Sequence, residues 1–268
     1  MSSFDLSNCR FAFLDLETTG LSPWFGDRIC EVGIVLTEGK RIRETFQTLV
    51  NPQRPLSLGA ASTSGLTDAM LADAPLFAVV APKVQAMLSD SVVVCHNAQF
   101  DLQFLDSEFR RLGSQIEIPN LIDTLRIARE HFDFASNTLT NIATEFGIQN
   151  PEAHRALSDA ITGKNVFFAL MESLRPMRPL EEFIGIYNSP AWPNEGIRLP
   201  VAWNEALTSG KRLWITYVDK NGERTQRAIT PLQVIGLADY IYLRAWCHLR
   251  NDERSFRLDR VLEMWPET

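Results

Sequence analysis

The sequence predicts an α/β domain with a mixed β-sheet, followed by a small, separate β domain. Strand patterns come first in the chain and then alternate with helix patterns, which is typical of an α/β layer. Short strands and a tight turn beyond residue 200 predict the β domain. We therefore expect an α/β domain over 1–174, a proline-rich linker over 175–200 and a β domain over 201–268.

Three strands are predicted at the start of the chain. The stretch Phe11–Gly20 is apolar at first and ends in a polar turn, as expected for a strand buried in a sheet. Ile29–Leu36 is a second apolar strand, and a tight turn at 38–40 leads into a third over Arg41–Val50. The second and third strands therefore form a hairpin-like pair after the first.

Helices and strands then alternate. Apolar residues recur at helical spacing between Leu76 and Leu88, and the wholly apolar Ser91–Cys95 is typical of a central parallel strand. A helix follows His96–Asp101 and ends at Gly113. The remaining elements are a short strand at Pro119–Asp123, a helix through Phe132, a helix from Asn137 to Gly147 and a longer helix from His154 to about Leu174.

The last part of the chain has the pattern of a small antiparallel β domain. Five prolines and lost periodicity mark the linker before it, of which Glu181–Tyr187 is expected to pack on a neighbour. Asn221-Gly222 is a strong hairpin signal. The predicted strands are Leu213–Val218, Glu223–Ile229, Tyr240–Trp246 and Ser255–Val261.

The composition is that of an ordinary soluble protein, with 268 residues of which 22% are charged. No run approaches the roughly 18 apolar residues of a membrane span. The N-terminus lacks the basic and apolar pattern of a secretory signal. Four scattered cysteines without CxxC spacing predict reduced thiols, so we expect a cytoplasmic protein.

The net charge of −7 is unevenly distributed. The first 200 residues hold 16 Lys and Arg against 24 Asp and Glu, whereas the rest hold 10 against 9. An acidic first part argues against broad binding of a nucleic-acid backbone by counterion release. It is compatible with a narrow site in which bound metal supplies the positive charge.

Two carboxylates stand two residues apart at the end of the first strand. Residues i and i+2 of a strand point to the same face, so Asp15 and Glu17 are expected to project together. Burying two like charges is costly unless a cation lies between them, and carboxylate oxygens suit Mg²⁺ or Mn²⁺. The alternative at this point is a solvated strand end whose carboxylates pair with Arg or Lys.

Further polar residues follow two later elements. Asp101 comes just after the predicted central strand, where ligand sites of open α/β sheets lie. Asp159 lies early in the last long helix, five residues after His154. Five residues advance a helix by about 140°, so we expect His154 on the loop before the helix and Asp159 on its inner face. A histidine on a loop beside a rigid carboxylate suits a general base.

Each of these residues also has an ordinary structural interpretation. Asp101 could be a helix N-cap, Asp159 a first-turn carboxylate favoured by the helix dipole, and His154 a surface histidine. The three patterns D-x-E, N-A-x-F-D and H-x4-D are much less expected to occur together by chance, in this chain order, than any one of these residues is to occur alone.

The motifs Phe13–Gly20, His96–Asp101 and His154–Asp159 resemble those of the DEDDh 3′–5′ exonucleases, a family that includes the proofreading subunit of the bacterial replicative polymerase. The resemblance covers about residues 8–174. It implies a ribonuclease H-like fold, a mixed five-stranded sheet with flanking helices, and two-metal hydrolysis of the 3′-terminal phosphodiester. By motif, His154 activates the water and two Mg²⁺ or Mn²⁺ ions are held by Asp15, Glu17, Asp101 and Asp159.

The same resemblance implies contacts to the terminal nucleotide. Thr18, Thr19, Asn97 and Phe100 would line it. The family often carries a histidine before Gly-Leu/Ile-Thr, where this chain has Ser64. Leu66 is still expected to wedge against the terminal base. Serine in place of this histidine is expected to alter how the substrate is held, but it leaves the set of metal ligands complete.

The tail resembles a WYL domain, a small Sm/SH3-like β fold of bacterial regulators that are thought to bind nucleic acid or a nucleotide-like ligand. The resemblance covers about residues 201–265, and the namesake Trp-Tyr-Leu is Ile-Tyr-Leu over 241–243 here. Arginines interleave with aromatic residues, which suits phosphate and base contacts. The predicted ligand contacts are Tyr242, Arg244, Arg250 and Arg257. The alternative is an ordinary small β domain with solvated arginines.

Together, the motifs predict a metal-dependent 3′–5′ exonuclease that hydrolyses terminal phosphodiester bonds of DNA, at single-stranded or frayed 3′ ends, to mononucleotides. The expected partners are DNA with a free 3′ end, in preference to RNA, and a nucleotide or single-stranded nucleic acid at the tail, with no membrane. Two alternatives remain open. One is an exoribonuclease that trims RNA, and the other is a catalytically weak regulatory protein whose tail does the main work.

Overall fold

The computed structural model of the chain describes residues 6–20, 23, 26–174, 178–187, 201–219, 223–237 and 240–267. The chain forms two compact units, and each contains one five-stranded sheet. Among the described residues, no helix has both the length and the apolar character needed to cross a membrane.

The first unit contains a mixed sheet in the order β3-β2-β1-β4-β5. Its strands are β1 (Arg10–Thr18), β2 (Ile29–Glu38), β3 (Arg41–Leu49), β4 (Val92–Cys95) and β5 (Leu121–Asp123). Strands β1, β2 and β3 pair antiparallel, whereas β4 pairs parallel with both β1 and β5. The predicted mixed five-stranded sheet is confirmed. Because β1 and β4 are parallel neighbours, their carboxyl ends meet at one edge of the sheet.

Seven helices lie in the described stretch between residues 58 and 173, and those from Phe77 onward begin and end within a few residues of their predicted positions. They are α1 (Leu58–Ser64), α2 (Asp68–Ala72), α3 (Phe77–Leu88), α4 (Ala98–Arg111), α5 (Thr124–His131), α6 (Leu139–Glu145) and α7 (Ala156–Ser173). Gly113 and Gly147 have φ of 70° and 65°, the left-handed conformation that ends α4 and α6. Helix α7 begins at Ala156, so His154 lies on the loop before it, as predicted.

The side chains of β1 alternate between two cores. Its even-numbered residues pack in one core with α3 and α4. Phe11 and Phe13 point to the opposite face, where their ring centroids lie 5.2 and 5.7 Å from that of Phe167 in α7. Because strand side chains have a period of two, Asp15 and Glu17 continue this face and lie on the same side of the sheet as α7.

Part of the proline-rich segment packs on the first unit. A short 3-10 helix spans Leu180–Glu182, and both Leu180 and Phe183 are buried. Arg126 Nη2 donates to the carbonyl oxygen of Phe183 at 2.8 Å. The prediction that part of this segment packs on a neighbour is confirmed. Residues 175–177 and 188–200 lie outside the described part of the chain.

The second unit contains an antiparallel sheet in the order β10-β6-β7-β8-β9, which confirms the predicted β domain. Its elements beyond residue 200 are α8 (Val201–Ser209), β6 (Leu213–Val218), β7 (Arg224–Leu237), β8 (Tyr240–Cys247), β9 (Asp252–Arg257) and β10 (Val261–Pro266). The Asn221-Gly222 turn lies outside the described residues.

Three features of this unit differ from the sequence prediction. Helix α8 was missed. Strand β7 was predicted to end at Ile229 but continues to Leu237. Its pairing with β8 shifts register at a bulge between Pro231 and Gln233 and then goes on. The single strand predicted over Ser255–Val261 is instead two strands, β9 and β10, separated by the 3-10 helix Leu258–Arg260.

Candidate active site

Asp101 lies where the parallel strands β1 and β4 end. It sits in the first turn of α4, is 3% exposed, and its Oδ1 accepts the backbone N–H of Leu16 at 3.1 Å. The N-cap alternative for Asp101 is wrong, because the N-cap of α4 is Asn97. The first N–H groups there are bound by another carboxylate, Asp123, which accepts from Asn97 N at 3.0 Å and Ala98 N at 3.2 Å.

Helix α7 contacts the backbone of the sheet directly. Gly33 pairs with Asp15 across β1 and β2. A Cβ atom at Gly33 would lie 2.2 Å from the carbonyl carbon of Ala156 and 2.4 Å from Leu157 N. Only glycine therefore allows the start of α7 to lie so close to the strand residue that faces Asp15.

A buried carboxylate next to the site was missed by the sequence analysis. Glu31 pairs with Glu17 across the strands and is 0% exposed. It accepts hydrogen bonds from Arg155 Nε at 3.1 Å, Arg155 Nη2 at 2.8 Å, Ala156 N at 3.2 Å and Gln47 Nε2 at 2.8 Å. Burial raises the pKa of Glu31, but the bonds from Arg155, Gln47 and Ala156 outweigh it and hold the pKa below its usual value.

His154 and Asp159 come together through a loop that folds back on α7. His154 is exposed with φ of 65°, and its backbone N–H donates to Asp159 Oδ2 at 3.0 Å. Asn150 Nδ2 donates to Asp159 Oδ1 at 2.5 Å. One ligand atom each from Glu17, His154 and Asp159 lie within 4.8 Å of one another. The spacing of the H-x4-D motif thus places the imidazole beside a carboxylate.

Three carboxylates of the site, those of Asp15, Glu17 and Asp101, are poorly solvated as anions. Burial, and then the charges of Asp101, Asp159 and Glu17, raise the pKa of Asp15 well above its usual value. Burial also raises the pKa of Asp101, against the hydrogen bond from Leu16. Burial and the neighbouring carboxylates Asp159 and Glu31 raise the pKa of Glu17 to about 8.

This electrostatic pattern differs from that of a solvated strand end. Arg155 lowers the pKa of Glu17, but burial and the neighbouring acids outweigh it. Several hard oxygen donors in one place, each unfavourable as an anion, are the donor set that divalent cations such as Mg²⁺ and Mn²⁺ accept. The residues present therefore fit a metal site.

The segments predicted to meet the terminal nucleotide flank these carboxylates along the chain. Thr18 and Thr19 are buried, and Thr19 Oγ1 donates to Asp27 Oδ1 at 3.3 Å. Leu66 is 1% exposed, with its N–H donating to Ser64 Oγ at 3.2 Å. In this conformation Leu66 does not present its side chain at the surface, as a wedge against a base requires.

Asn97 and Phe100 lie at the start of α4, in the turn that carries Asp101. Asn97 is exposed and adopts a left-handed conformation, with φ of 71° and ψ of 53°. Phe100 is half-buried, and its ring centroid lies 5.0 Å from that of Phe104. These two residues and Asp101 therefore share one helical turn.

The predicted tail contacts divide into two groups. Tyr242 and Arg244 of β8 share one face, and Arg257 of β9 is opposite Tyr242, so these three lie on one surface of the second sheet. Arg244 Nε donates to Glu253 Oε2 at 2.9 Å on the same surface. Arg250 lies outside both strands, in the turn between β8 and β9.

The sequence profile of the exonuclease family (RNase_T) matches residues 12–167, which is more than half of the chain. The chain belongs to the exonuclease family. A WYL domain profile matches residues 202–265. Both predicted resemblances are confirmed, and the prediction of an enzyme of the 3′–5′ exonuclease class is confirmed at the level of the family.

The relatives of this chain include DNA polymerase III proteins. The DNA polymerase III PolC-type of Caldanaerobacter subterraneus subsp. tengcongensis is 37% identical over 167 residues, which are 62% of this chain and 12% of that protein. DNA polymerase III subunit epsilon of Rickettsia typhi is 35% identical over 172 residues, 62% of this chain and 75% of that protein. The chain spans between 12 and 25% of the length of the first three curated relatives it matches.

Solved structures share the fold of the first unit. Exonuclease X in complex with 5′ overhanging duplex DNA is 26% identical with a TM-score of 0.51, over 65% of this chain and 96% of that one. The nuclease domain of 3′hExo, a DEDDh family member bound to rAMP, is 18% identical with a TM-score of 0.57, over 71% and 100%. The ribonuclease H-like fold is confirmed. The DEDDh exonucleases use divalent metal ions, in agreement with the carboxylates described above.

Proposed function

We propose that this chain is a metal-dependent 3′–5′ exonuclease that releases mononucleotides from single-stranded or frayed 3′ ends of DNA. One observation carries the proposal: the three sequence motifs place their carboxylates and His154 at one edge of the sheet, where burial raises the pKa of Asp15, Glu17 and Asp101. DNA is favoured because the relatives at 30% identity or more include DNA polymerase III proteins.

The residues divide the chemistry between them. Two ions, Mg²⁺ or Mn²⁺, would supply Lewis-acid stabilisation of the phosphate and its attacking water. The residues that would hold them are Asp15, Glu17, Asp101 and Asp159. His154 is exposed to solvent, so it is able to accept a proton from that water on its imidazole and pass it on to bulk solvent. Asp159 Oδ2 accepts the backbone N–H of His154 and so limits where the loop places the imidazole.

A paired degradation assay tests the function and its two alternatives. DNA and RNA oligonucleotides of one sequence, labelled at the 5′ end, are incubated with Mg²⁺ or Mn²⁺. We expect a ladder of shortened DNA, with Asp15→Asn slower by at least about 10³-fold. Asp90→Asn is the matched control, because Asp90 is an exposed carboxylate at the amino-terminal side of β4. Faster shortening of RNA would assign an exoribonuclease, and no shortening of either would favour a regulatory protein.

We further propose that catalysis belongs to residues 1–174 and that residues 201–268, joined through 175–200, bind single-stranded nucleic acid or a nucleotide. The surface with Tyr242, Arg244 and Arg257 combines an aromatic ring with guanidinium groups, which suits stacking and phosphate contacts.

The tail proposal is tested by substitutions in the full chain. Tyr242→Ala with Arg257→Ala is expected to raise KM for long oligonucleotides several-fold and to leave kcat unchanged. Arg250→Ala measures whether the turn between β8 and β9 takes part, and Arg41→Ala, an exposed residue of β3, is the control for lost positive charge. An unchanged KM and unchanged nucleotide binding in the double variant would refute this role.

A further inference from the structure

A buried ion pair beside the site has no part in the mechanism above. Glu31 is 0% exposed, and both of its carboxylate oxygens accept hydrogen bonds from the guanidinium of Arg155 and from backbone or amide donors. A carboxylate with this burial is stable only when its charge is fully paired. The chain therefore holds Glu31 and Arg155 in one relative position.

The position of this pair connects two parts of the site. Glu31 pairs across the strands with Glu17, while Arg155 and Ala156 directly follow His154. The contact thus links β2, the neighbour of the strand that carries Asp15 and Glu17, to the residue next to the proposed base. His154 has φ of 65°, a conformation that is unfavourable for residues other than glycine and persists only when its surroundings hold it.

We propose that Glu31 and Arg155 are positioning residues, which hold His154 at the place beside Glu17 and Asp159 from which it activates water. The role depends on the proposed exonuclease function. It requires neither residue to touch the substrate, because Arg155 is already occupied by Glu31 in a two-pronged contact.

The chain contains a second ion pair with the same pattern, which serves as a matched control. Glu108 in α4 is 2% exposed and accepts from Arg28 Nε at 2.6 Å and Arg28 Nη2 at 2.8 Å. The residue after this arginine, Ile29, also donates its backbone N–H to Glu108, at 3.4 Å. Glu108→Gln thus weakens an ion pair of the same kind but leaves the contact between Glu31 and Arg155 in place.

The first experiment compares Glu31→Gln with Glu108→Gln in the full chain. Both variants should lower Tm, because each leaves a buried arginine contact incomplete. Only Glu31→Gln should lower kcat, by about 100-fold for a misplacement of about 1 Å, with KM within twofold of wild type. Equal effects of the two variants on kcat, or an effect of Glu31→Gln on KM alone, would overturn the proposal.

A double variant separates positioning of His154 from an effect on the carboxylates. If Glu31 acts through His154, then Glu31→Gln should cause no further loss of kcat in a His154→Ala background. A further loss of tenfold or more would show that Glu31 acts elsewhere, and the proposal would fail.

A spectroscopic readout tests the contact independently of activity. The chain has four histidines, so the imidazole Cε1–H signals are few enough to assign by NMR. Glu31→Gln should shift or broaden the His154 signal, whereas Glu108→Gln should not. If the wild type releases no nucleotides, the proposed function fails, and this signal still decides whether the contact holds His154.

The conservative variant Arg155→Lys tests the same contact from its other partner, in case Glu31→Gln does not fold. Lysine keeps the charge but lacks the planar fork that binds both carboxylate oxygens. We expect a loss of kcat of about tenfold, smaller than for Glu31→Gln, with an altered His154 signal. Wild-type values for both would mean that the two-pronged geometry is not needed, and would overturn the proposal.

Discussion

Gly33→Ala is the substitution that most directly probes how α7 is set against the sheet. Its new methyl group would lie 2.2 Å from the carbonyl carbon of Ala156, whereas ordinary contacts begin at 3.4 Å. The obstructing atoms belong to the backbone of α7, so the start of this helix must move about 1 Å away from β2. Overpacking of this kind costs up to about 3 kcal/mol. For a domain of this size the loss corresponds to about 6–12 °C in Tm.

The same displacement should reduce activity, because His154 and Asp159 lie at either side of the helix start. A misplacement of about 1 Å lowers the rate about 100-fold. The assay is oligonucleotide shortening at a temperature where the variant is folded, together with thermal unfolding. Gly163→Ala, in the same helix with nothing within 4 Å of the new methyl group, is the control and should stabilise by about 0.5–1 kcal/mol. Wild-type Tm and kcat for Gly33→Ala would refute this account of how α7 is placed.

Two further predictions concern the buried carboxylates. Asp101→Asn keeps an acceptor for the N–H of Leu16 but cannot ionise, whereas burial raises the pKa of Asp101 in the folded wild type, so without metal the variant should gain stability relative to wild type as the pH rises and should lose at least about 10³-fold in activity; a difference in urea unfolding with EDTA that shrinks as the pH rises would contradict this. The folded state raises the pKa of Glu17 from 4.5 to about 8, so the folded protein holds a proton that the unfolded chain has lost between these values. Stability without metal should therefore fall as pH rises from about 4.5 to 8, with a ceiling of about 5 kcal/mol. Saturating Mn²⁺ should flatten this slope in urea unfolding, and stability that rises over the window in EDTA would contradict the assignment.

The sequence predicted those parts of the site that depend on local spacing. The two-residue separation of Asp15 and Glu17 sets their common face, and the five-residue separation of His154 and Asp159 requires one of them to lie outside the helix. Both follow from the geometry of strands and helices. The capping of α4 was not predicted, because the carboxylate that binds its first N–H groups belongs to Asp123, 25 or 26 residues away along the chain. Such contacts are set by strand order, which spacing within one segment does not reveal.

Glu31 shows which signal in the sequence would have revealed the missing part of the site. It stands inside the apolar run Ile29–Leu36, whose residues are all buried, and it is the charged residue of that run. A charged side chain in a strand buried on both faces needs a partner of opposite charge, since its burial alone costs several kcal/mol. The same reasoning that led from Asp15 and Glu17 to a cation therefore applies to Glu31. Here the cation is Arg155, and because it follows the proposed base directly, this ion pair links the stability of the sheet to the position of His154.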